Sequence, residues 1–130
     1  MADQPLSTGR LGITFELREV DEHHAVCRMP FDDGVRNATN GAHAGALIWL
    51  ADLTATFLAR AGTEVAEDGR GFPMLIDLHA SVLANEEGPA FIEAEARIVR
   101  RGRRVTVVRT IVKTDSGKVL TELTTTHIPW

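Results

Sequence analysis

The sequence has no tyrosine and only one cysteine among its 130 residues. The absence of tyrosine excludes catalysis by a tyrosine acid or nucleophile. The single cysteine excludes an internal disulfide framework, because each bridge needs two thiols. Basic residues are also outnumbered, 14 against 18 acidic ones, and the net charge is -4. This balance argues against nonspecific nucleic-acid binding, which needs a basic surface.

The remaining composition indicates one soluble globular domain. Hydrophobic residues make up 44% of the chain and charged residues 25%, as in ordinary globular proteins. A chain of this length buries about two-thirds of its unfolded surface, so we expect a single domain over residues 1–130. Residues 1–9 are predicted to form a frayed tail. The first ten residues lack the apolar core of a signal peptide, and a lone cysteine fits a reducing compartment, so we expect a cytoplasmic protein.

The least polar long stretch covers residues 37–62. Asn40-Gly41 predicts a turn and a helix start, and Gly62 predicts the helix end. Asp52 is the only charged side chain between residues 43 and 60, so we expect this helix to be buried on nearly every side. A carboxylate in mid-span is costly in lipid, which favours a central helix enclosed by protein over a membrane span.

Strand patterns occupy the rest of the chain. Alternating apolar residues predict strands over 11–17 and 23–29 before the helix, and four strands in a meander between residues 72 and 128. Six strands and one apolar helix predict an α+β fold in which an antiparallel sheet curls around the helix. Pairing of edge strands between two copies of the chain would hide an exposed edge, so we expect a dimer. In the first strand after the helix, one shared face is expected for Met74, Ile76, Leu78, Ala80 and Val82.

The spacing at the helix resembles that of a known family. Asn37 is followed after five residues by His43-Ala44-Gly45, and after six more by Asp52. This resembles the PaaI-type hotdog-fold acyl-CoA thioesterases, in which an Asn, a His-Gly-Gly and a Leu-(Ala/Val)-Asp occur at these separations. Leu50-Ala51-Asp52 matches the last element. The resemblance implies a hotdog fold with about six strands around one central helix.

The resemblance extends over residues 11–128 and has two departures. Ile76-Asp77-Leu78-His79 and the Arg100-Arg101-Gly102-Arg103 turn also look like the family. However, Ala44 replaces the first glycine of His-Gly-Gly, which keeps the backbone N–H but narrows the approach to it. Leu83-Ala84-Asn85 stands where the family often has Arg-Pro or Ser-Pro, which affects contacts to substrate more than the chemistry.

Thioester hydrolysis is the activity that the resemblance implies. The N–H of Ala44, with that of Gly45, would face the thioester oxygen at the helix start. Asp52 would be the nucleophile, or the general base that activates water. The helical rise places Asp52 about 13 Å along the axis from His43, too far for one chain to complete the site. Asp52 of one subunit would therefore act with Asn37, His43 and Ala44 of another, where Asn37 positions the water or acyl carbonyl and His43 fixes the loop or thioester.

Arginines around the next hairpin turn are candidates for binding coenzyme A. The forked guanidinium suits phosphate, although such a run is usually a solvated edge. We assign Arg101, Arg103 and Arg104 to the coenzyme A phosphates. Coenzyme A belongs to the substrate, so no separate cofactor and no metal is expected.

Each candidate also has a structural interpretation. Asp52 can be a buried acid held by threonines, Asn37 can satisfy the backbone of a turn, and His43 can cap the helix. The other histidines have no metal-ligand spacing and are predicted as strand or surface residues, and the lone cysteine is predicted as core. They are His23, His24, His79, His127 and Cys27.

Three functions remain open from the sequence. The first is hydrolysis of an aryl-, short- or medium-chain acyl-CoA by a homodimer or a dimer of dimers, without a nucleic-acid or membrane partner. The second is a hotdog hydratase or dehydratase acting on acyl-CoA or acyl-ACP. The third is a non-catalytic acyl-CoA-binding protein, against which the retained Asp52 and Asn37 count. A shared fold does not decide between them.

Overall fold

The chain folds into a single antiparallel sheet with one helix against it. The structure is a computed structural model and describes residues 5–7 and 13–130. The predicted tail is wrong for residues 5–7, which pair with residues 14–16 as a first strand. The elements are β1 Pro5–Ser7, β2 Thr14–Val20, β3 His24–Pro30, α1 Ala44–Ala61, β4 Pro73–Val82, β5 Phe91–Arg101, β6 Thr106–Thr114 and β7 Val119–Pro129.

The strand order is β1-β2-β3-β5-β6-β7-β4. The prediction of an antiparallel sheet around one helix is therefore confirmed. The predicted meander is confirmed for β5, β6 and β7, but β4 does not pair with β5 as a four-strand meander requires. β4 pairs with β7, whereas β5 pairs with β3. The chain thus crosses the sheet twice, once through α1 and once through the connection from β4 to β5, and β4 lies at the edge.

One face of α1 packs on the sheet. The helix ends at the predicted Gly62, but it begins at Ala44, three residues after the predicted Asn40-Gly41 turn. By length and composition it is also apolar enough to cross a bilayer, yet it forms the core of this domain. Its buried residues are Ala46, Leu47, Leu50, Ala51, Thr54, Ala55, Leu58 and Ala59.

The opposite face of α1 is not covered in the single chain, so the predicted burial on nearly every side is not reached within one chain. Asp52, Leu53 and Thr56 are half-buried, and Gly45 and Arg60 are exposed. The sheet has one strand layer, which can cover only one side of a helix. The other side is left for ligand or for another copy of the chain.

β4 is an exposed edge strand with a bulge. The pairing shifts between Leu75 and Asp77, so the predicted shared face is confirmed for Leu78, Ala80 and Val82 but is wrong for Met74 and Ile76. Met74 lies opposite Ile128, while Leu78 lies opposite the buried Thr125, and residues directly opposite each other share a face. Five large apolar side chains of this strand are exposed, namely Met74, Leu75, Ile76, Leu78 and Val82.

Candidate active site

Two backbone amides at the start of α1 have no acceptor among the described residues. These are the N–H groups of Ala44 and Gly45. The preceding residue, His43, makes no side-chain capping bond, and its carbonyl accepts the later amides of Ala46 and Leu47 at 3.0 and 3.2 Å. Ala44 and Gly45 are exposed, and the helix dipole adds partial positive charge there. This arrangement suits an anion or a developing oxyanion.

Open space adjoins these amides. A methyl group added at Gly45 would meet no atom within 4 Å, so packing within this chain does not require glycine at that position. A cavity of about 330 Å³ next to the helix start is lined by Asn37, Ala44, Leu47 and the segment 82–85. The departure from the family at Leu83-Ala84-Asn85 therefore lies on the wall of this cavity.

Asn37 holds the loop that leads into the helix. Its Oδ1 accepts the backbone N–H groups of Thr39 and Gly41 and the Thr39 hydroxyl, all at 2.9 Å. Its Nδ2 donates to the Ala42 carbonyl at 3.2 Å. The structure thus confirms the interpretation that the Asn37 side chain satisfies the backbone of this turn. The role of Asn37 toward water or substrate stays a prediction.

The loop is also fixed against the segment that follows β4. Asn40 adopts a left-handed conformation with a φ of 63°, and its carbonyl accepts the N–H of Gly88 at 2.9 Å. The side chain of Asn85 packs directly on Gly41, where an added methyl group would overlap it. Glycine at position 41 is therefore required by a close approach, which sets the wall of the cavity relative to the helix start.

Asp52 lies apart from this group. It is half-buried two turns into α1, and it does not line the cavity at the helix start. The Thr56 hydroxyl donates to its Oδ1 at 3.5 Å, a long bond. Burial raises the pKa of Asp52, although His127 and Thr56 oppose that shift. The structure thus brings together Asn37, His43, Ala44 and Gly45 and, as the helical rise predicts, leaves Asp52 too far away to act with them in one chain.

Sequence analysis gave His127 no role in the site and predicted it as a strand or surface residue; it lies on β7 and is buried there. It is 1% exposed on the inner face of β7. Its Nε2 lies 2.9 Å from the Thr125 hydroxyl, and its Nδ1 has no hydrogen-bond partner in the described part of the chain. Burial lowers the pKa of the ring, while the Pro73 carbonyl and the Asp52 carboxylate oppose this shift. The strand period of two, which places His127 with Leu123 and Thr125, could have found it.

Arg101 caps the C-terminal end of α1, and its assignment to a coenzyme A phosphate stays a prediction. Its guanidinium donates to the carbonyls of Leu58 and Ala59 at 3.1 and 3.0 Å, and to that of Glu22 at 3.0 Å. These carbonyls lie at the negative end of the helix dipole or next to it. A methyl group at Gly62 would lie 2.5 Å from the guanidinium carbon. Arg101 is therefore a structural cap.

Arg103 and Arg104 remain available for a ligand. Both are exposed and form no ion pair with any described residue. They line a cavity of about 280 Å³ whose other walls include Thr106, His127 and Glu64. Their contact with coenzyme A is not tested by this geometry and stays a prediction.

The other reactive side chains offer no competing centre. Cys27 is buried as predicted, and burial raises the pKa of its thiol to about 11, so it is not a nucleophile at neutral pH. Within residues 5–7 and 13–130, no group of three His, Cys, Asp or Glu side chains could hold a metal ion.

Comparison with known proteins confirms the fold. A family model described as "Domain of unknown function (DUF4442)" matches residues 10–128. No curated protein sequence matches the chain. The PaaI-type subgroup therefore stays a prediction.

Three solved structures resemble the chain over most of its length. The smu.793 protein of Streptococcus mutans, bound to acetyl CoA, is 17% identical with a TM-score of 0.80, covering 96% of this chain and 95% of that one. A hypothetical thioesterase of Streptococcus pneumoniae with coenzyme A is 16% identical with a TM-score of 0.77, covering 89% and 85%. A thioesterase of Haemophilus influenzae is 19% identical with a TM-score of 0.77, covering 89% and 78%. These likenesses show that the chain has the hotdog fold.

Proposed function

We propose that this chain, which belongs to the DUF4442 family, is an acyl-CoA thioesterase. The observation that carries the proposal is the pair of free, exposed amides at the start of α1, with open space beside Gly45. Hydrolysis of a thioester passes through an oxyanion, and preorganised N–H donors lower its energy. Two of the solved structures that resemble the chain hold coenzyme A or acetyl CoA, which supports the same class of ligand here.

The active form in this proposal is a homodimer. One chain presents the amides, and Asp52 lies too far along the same helix to serve them. The helix face that carries Asp52 is only half-buried, and β4 exposes an apolar edge. A second copy that covers this face would bring its own Asp52 to the amides and complete two equivalent sites. Pairing of such dimers into a tetramer remains part of the same hypothesis.

Each site would use groups from both chains. The amides of Ala44 and Gly45 would receive the thioester oxygen as it gains charge. Asp52 of the partner subunit would take a proton from water, whose oxygen adds to the carbonyl carbon. The carbon–sulfur bond then breaks, and the proton passes to the leaving sulfur, giving a free acid and coenzyme A. A raised pKa favours Asp52 as a proton acceptor over an ordinary aspartate. Direct attack by its carboxylate is the alternative route to the same products.

The substrate in this proposal is an aryl-, short- or medium-chain acyl-CoA. Half-buried aromatic residues of α1 offer an apolar surface for the acyl group: Trp49 and Phe57 lie 5.8 and 5.9 Å from the Phe15 ring, centroid to centroid. Leu53, Phe57 and Phe72 line a small apolar cavity of about 260 Å³. Arg103 and Arg104 would bind the phosphates of the nucleotide.

Release of free thiol from a panel of acyl-CoA esters tests the proposal. We expect turnover with wild type and a loss of several orders of magnitude in kcat with Asp52→Asn, because an amide cannot accept the proton. Thr56→Val is the matched control, since it removes only the long bond to Asp52. An Asp52→Asn variant with wild-type kcat would overturn the proposal. Hydration of an enoyl-CoA without thiol release would instead identify a hydratase, and binding without turnover an acyl-CoA-binding protein.

A further inference from the structure

A side-chain amide with unused donors lies on the wall of the cavity at the helix start. Asn85 lines the same cavity as Ala44 and is exposed. Its Oδ1 accepts the backbone N–H of Glu86 at 2.9 Å. Only the oxygen of an amide accepts a hydrogen bond, so this bond fixes which terminal atom is Nδ2. Nδ2 carries two N–H donors and makes no hydrogen bond to any residue that the structure describes.

The other side-chain amide on this wall, Asn37, is already engaged by its own loop. Its Oδ1 accepts three hydrogen bonds, two from Thr39 and one from Gly41. Its Nδ2 donates to the Ala42 carbonyl. A turn of this amide toward a ligand would break these bonds, whereas Nδ2 of Asn85 can donate without breaking any.

The position of Asn85 is fixed by the loop that enters the helix. Its amide packs directly on Gly41, where an added methyl group would overlap it. The Asn40 carbonyl accepts the N–H of Gly88 at 2.9 Å, which ties the segment that carries Asn85 to the same loop. The bond from Glu86 sets the orientation of the amide. A donor held in this way needs little reorganisation when charge develops nearby, which is the condition for electrostatic catalysis.

We propose that Nδ2 of Asn85 is the third donor to the oxyanion, beside the backbone amides of Ala44 and Gly45. This inference rests on the proposed function. A carbonyl oxygen has two lone pairs, which the two backbone amides satisfy, whereas the oxyanion of the tetrahedral intermediate has three. The third donor is therefore engaged only as the oxygen gains charge. An interaction made only in the transition state raises kcat and leaves KM nearly unchanged.

Kinetics of Asn85→Asp test the assignment. The carboxylate keeps the shape of the side chain, its contact with Gly41 and the acceptor for the N–H of Glu86, but it loses both N–H donors. We expect kcat for thiol release to fall about 10²-fold, the effect of losing one oxyanion donor, with KM and Tm close to wild type. Asn85→Leu, which removes the donors without adding charge, should also lower kcat.

Asn40→Asp is the matched control for the added charge. Asn40 belongs to the same loop but does not line the cavity, and its Oδ1 accepts a hydrogen bond from Arg36 that aspartate can also accept. Aspartate also tolerates the left-handed conformation of this residue. We expect kcat and KM close to wild type.

The outcomes separate this inference from the proposed function. If wild type hydrolyses acyl-CoA and Asn85→Asp has the same kcat, only the role of Asn85 is wrong. An equal loss of kcat in Asn40→Asp, or a raised KM with unchanged kcat in Asn85→Asp, overturns the same role. A wild type that releases no thiol from any acyl-CoA overturns the proposed function and this inference together.

A measurement on the unmodified protein covers the case in which the Asn85 variants fail to fold. The probes are two analogues of acyl-CoA that release no thiol. One is a trifluoromethyl ketone, which forms a tetrahedral hydrate, and the other is a thioether, which lacks the carbonyl oxygen. In protein labelled with ¹⁵N at asparagine, the side-chain resonance of Asn85 should move with the ketone and stay in place with the thioether. Equal movement with both analogues, or movement with neither, contradicts a contact to the oxyanion.

Discussion

The two ends of α1 are built in opposite ways. At the C-terminal end, the guanidinium of Arg101 binds the carbonyls of Leu58 and Ala59, and Gly62 leaves room for it. At the N-terminal end, the amides of Ala44 and Gly45 have no acceptor among the described residues and face open space. Both ends have the same intrinsic need for partners. The hydrogen-bonded carbonyls at the C-terminal end stabilise the fold. The unbonded amides at the N-terminal end are donors that a ligand can use.

Removal of a single donor at the open end gives the largest expected effect. Ala44 is the first helical residue, a position where proline fits because its N–H has no helical partner. The preceding residue, His43, has a ψ of 136°, which is compatible with a following proline. We expect Ala44→Pro to lower kcat by about 10²–10³-fold through loss of one oxyanion donor, with Tm unchanged. Ala44→Gly, which keeps the N–H, should retain activity, and a fully active Ala44→Pro would place the oxyanion site elsewhere.

At the sealed end, loss of the cap should reduce stability instead of activity. Arg101→Ala removes three charge-assisted hydrogen bonds from partly buried carbonyls. Since the guanidinium is partly solvated, we expect a loss of about 2 kcal/mol in the free energy of unfolding, measured by urea denaturation, with kcat close to wild type. Arg104→Ala is the matched control, because that side chain is exposed in the same turn. If the two variants lose equal stability, the cap interpretation is wrong.

Gly62→Ala should perturb the same cap more mildly. The added methyl group would lie 2.5 Å from the Arg101 guanidinium carbon, so the side chain must shift and its bonds lengthen. We expect a loss of about 1 kcal/mol, smaller than that of Arg101→Ala. In the Arg101→Ala background the added methyl group has nothing to displace, so the double variant should lose less than the sum of the single losses. Simple additivity would show that Gly62 acts independently of the guanidinium.

The smallest expected effect concerns the buried charge between the two ends. Burial raises the pKa of Asp52 above its ordinary value of 3.8, so the folded state binds its proton more tightly than the unfolded state. The resulting stability is complete below about pH 3.8 and is lost as the pH rises through the folded pKa. At pH 7 the wild type carries the buried charge, and Asp52→Asn should therefore have a higher Tm there. The difference should vanish in acid.

Asp21→Asn is a control of opposite sign. Its pKa is lowered, chiefly by the backbone N–H of His23, so its contribution is present above the unfolded pKa and is lost as the pH falls through the folded one. This variant should have a lower Tm than wild type at pH 7 and the same Tm in acid. Equal pH profiles for the Asp52 and Asp21 variants would contradict the burial of Asp52.

The sequence predicted features that depend on local pattern. Strand alternation and the apolar run predict the sheet and its central helix, and the helical rise alone separates Asp52 from Ala44. The pairing of β4 with β7 was not predictable in this way, because strand order depends on contacts distant in the chain. The same limit explains the bulge at Ile76, which has no distinctive residue in the sequence.

Arg101 shows what a local pattern cannot distinguish. In sequence it is equivalent to Arg103 and Arg104, and all three suit phosphate equally well. Only its contact with Ala59, 42 residues earlier, distinguishes a helix cap from a ligand group. The burial of His127 depends on a different pattern. The strand period of two places it on the same face as the buried Thr125, whereas the spacing of metal ligands carries no information about which face is inward.

The two edge strands of the sheet differ in length, and this difference limits how many copies of the chain can associate through them. One edge is β4, with ten residues, and the other is β1, with three residues that begin with Pro5. Proline has no N–H to donate, so β1 is a poor template for another strand. In the proposed dimer, a copy that adds through β4 would meet β4 of its neighbour, and the longer of the two edges formed by the described residues would be used up in each chain. Growth through this edge would then stop at two copies, which would protect an exposed apolar strand from open-ended fibres.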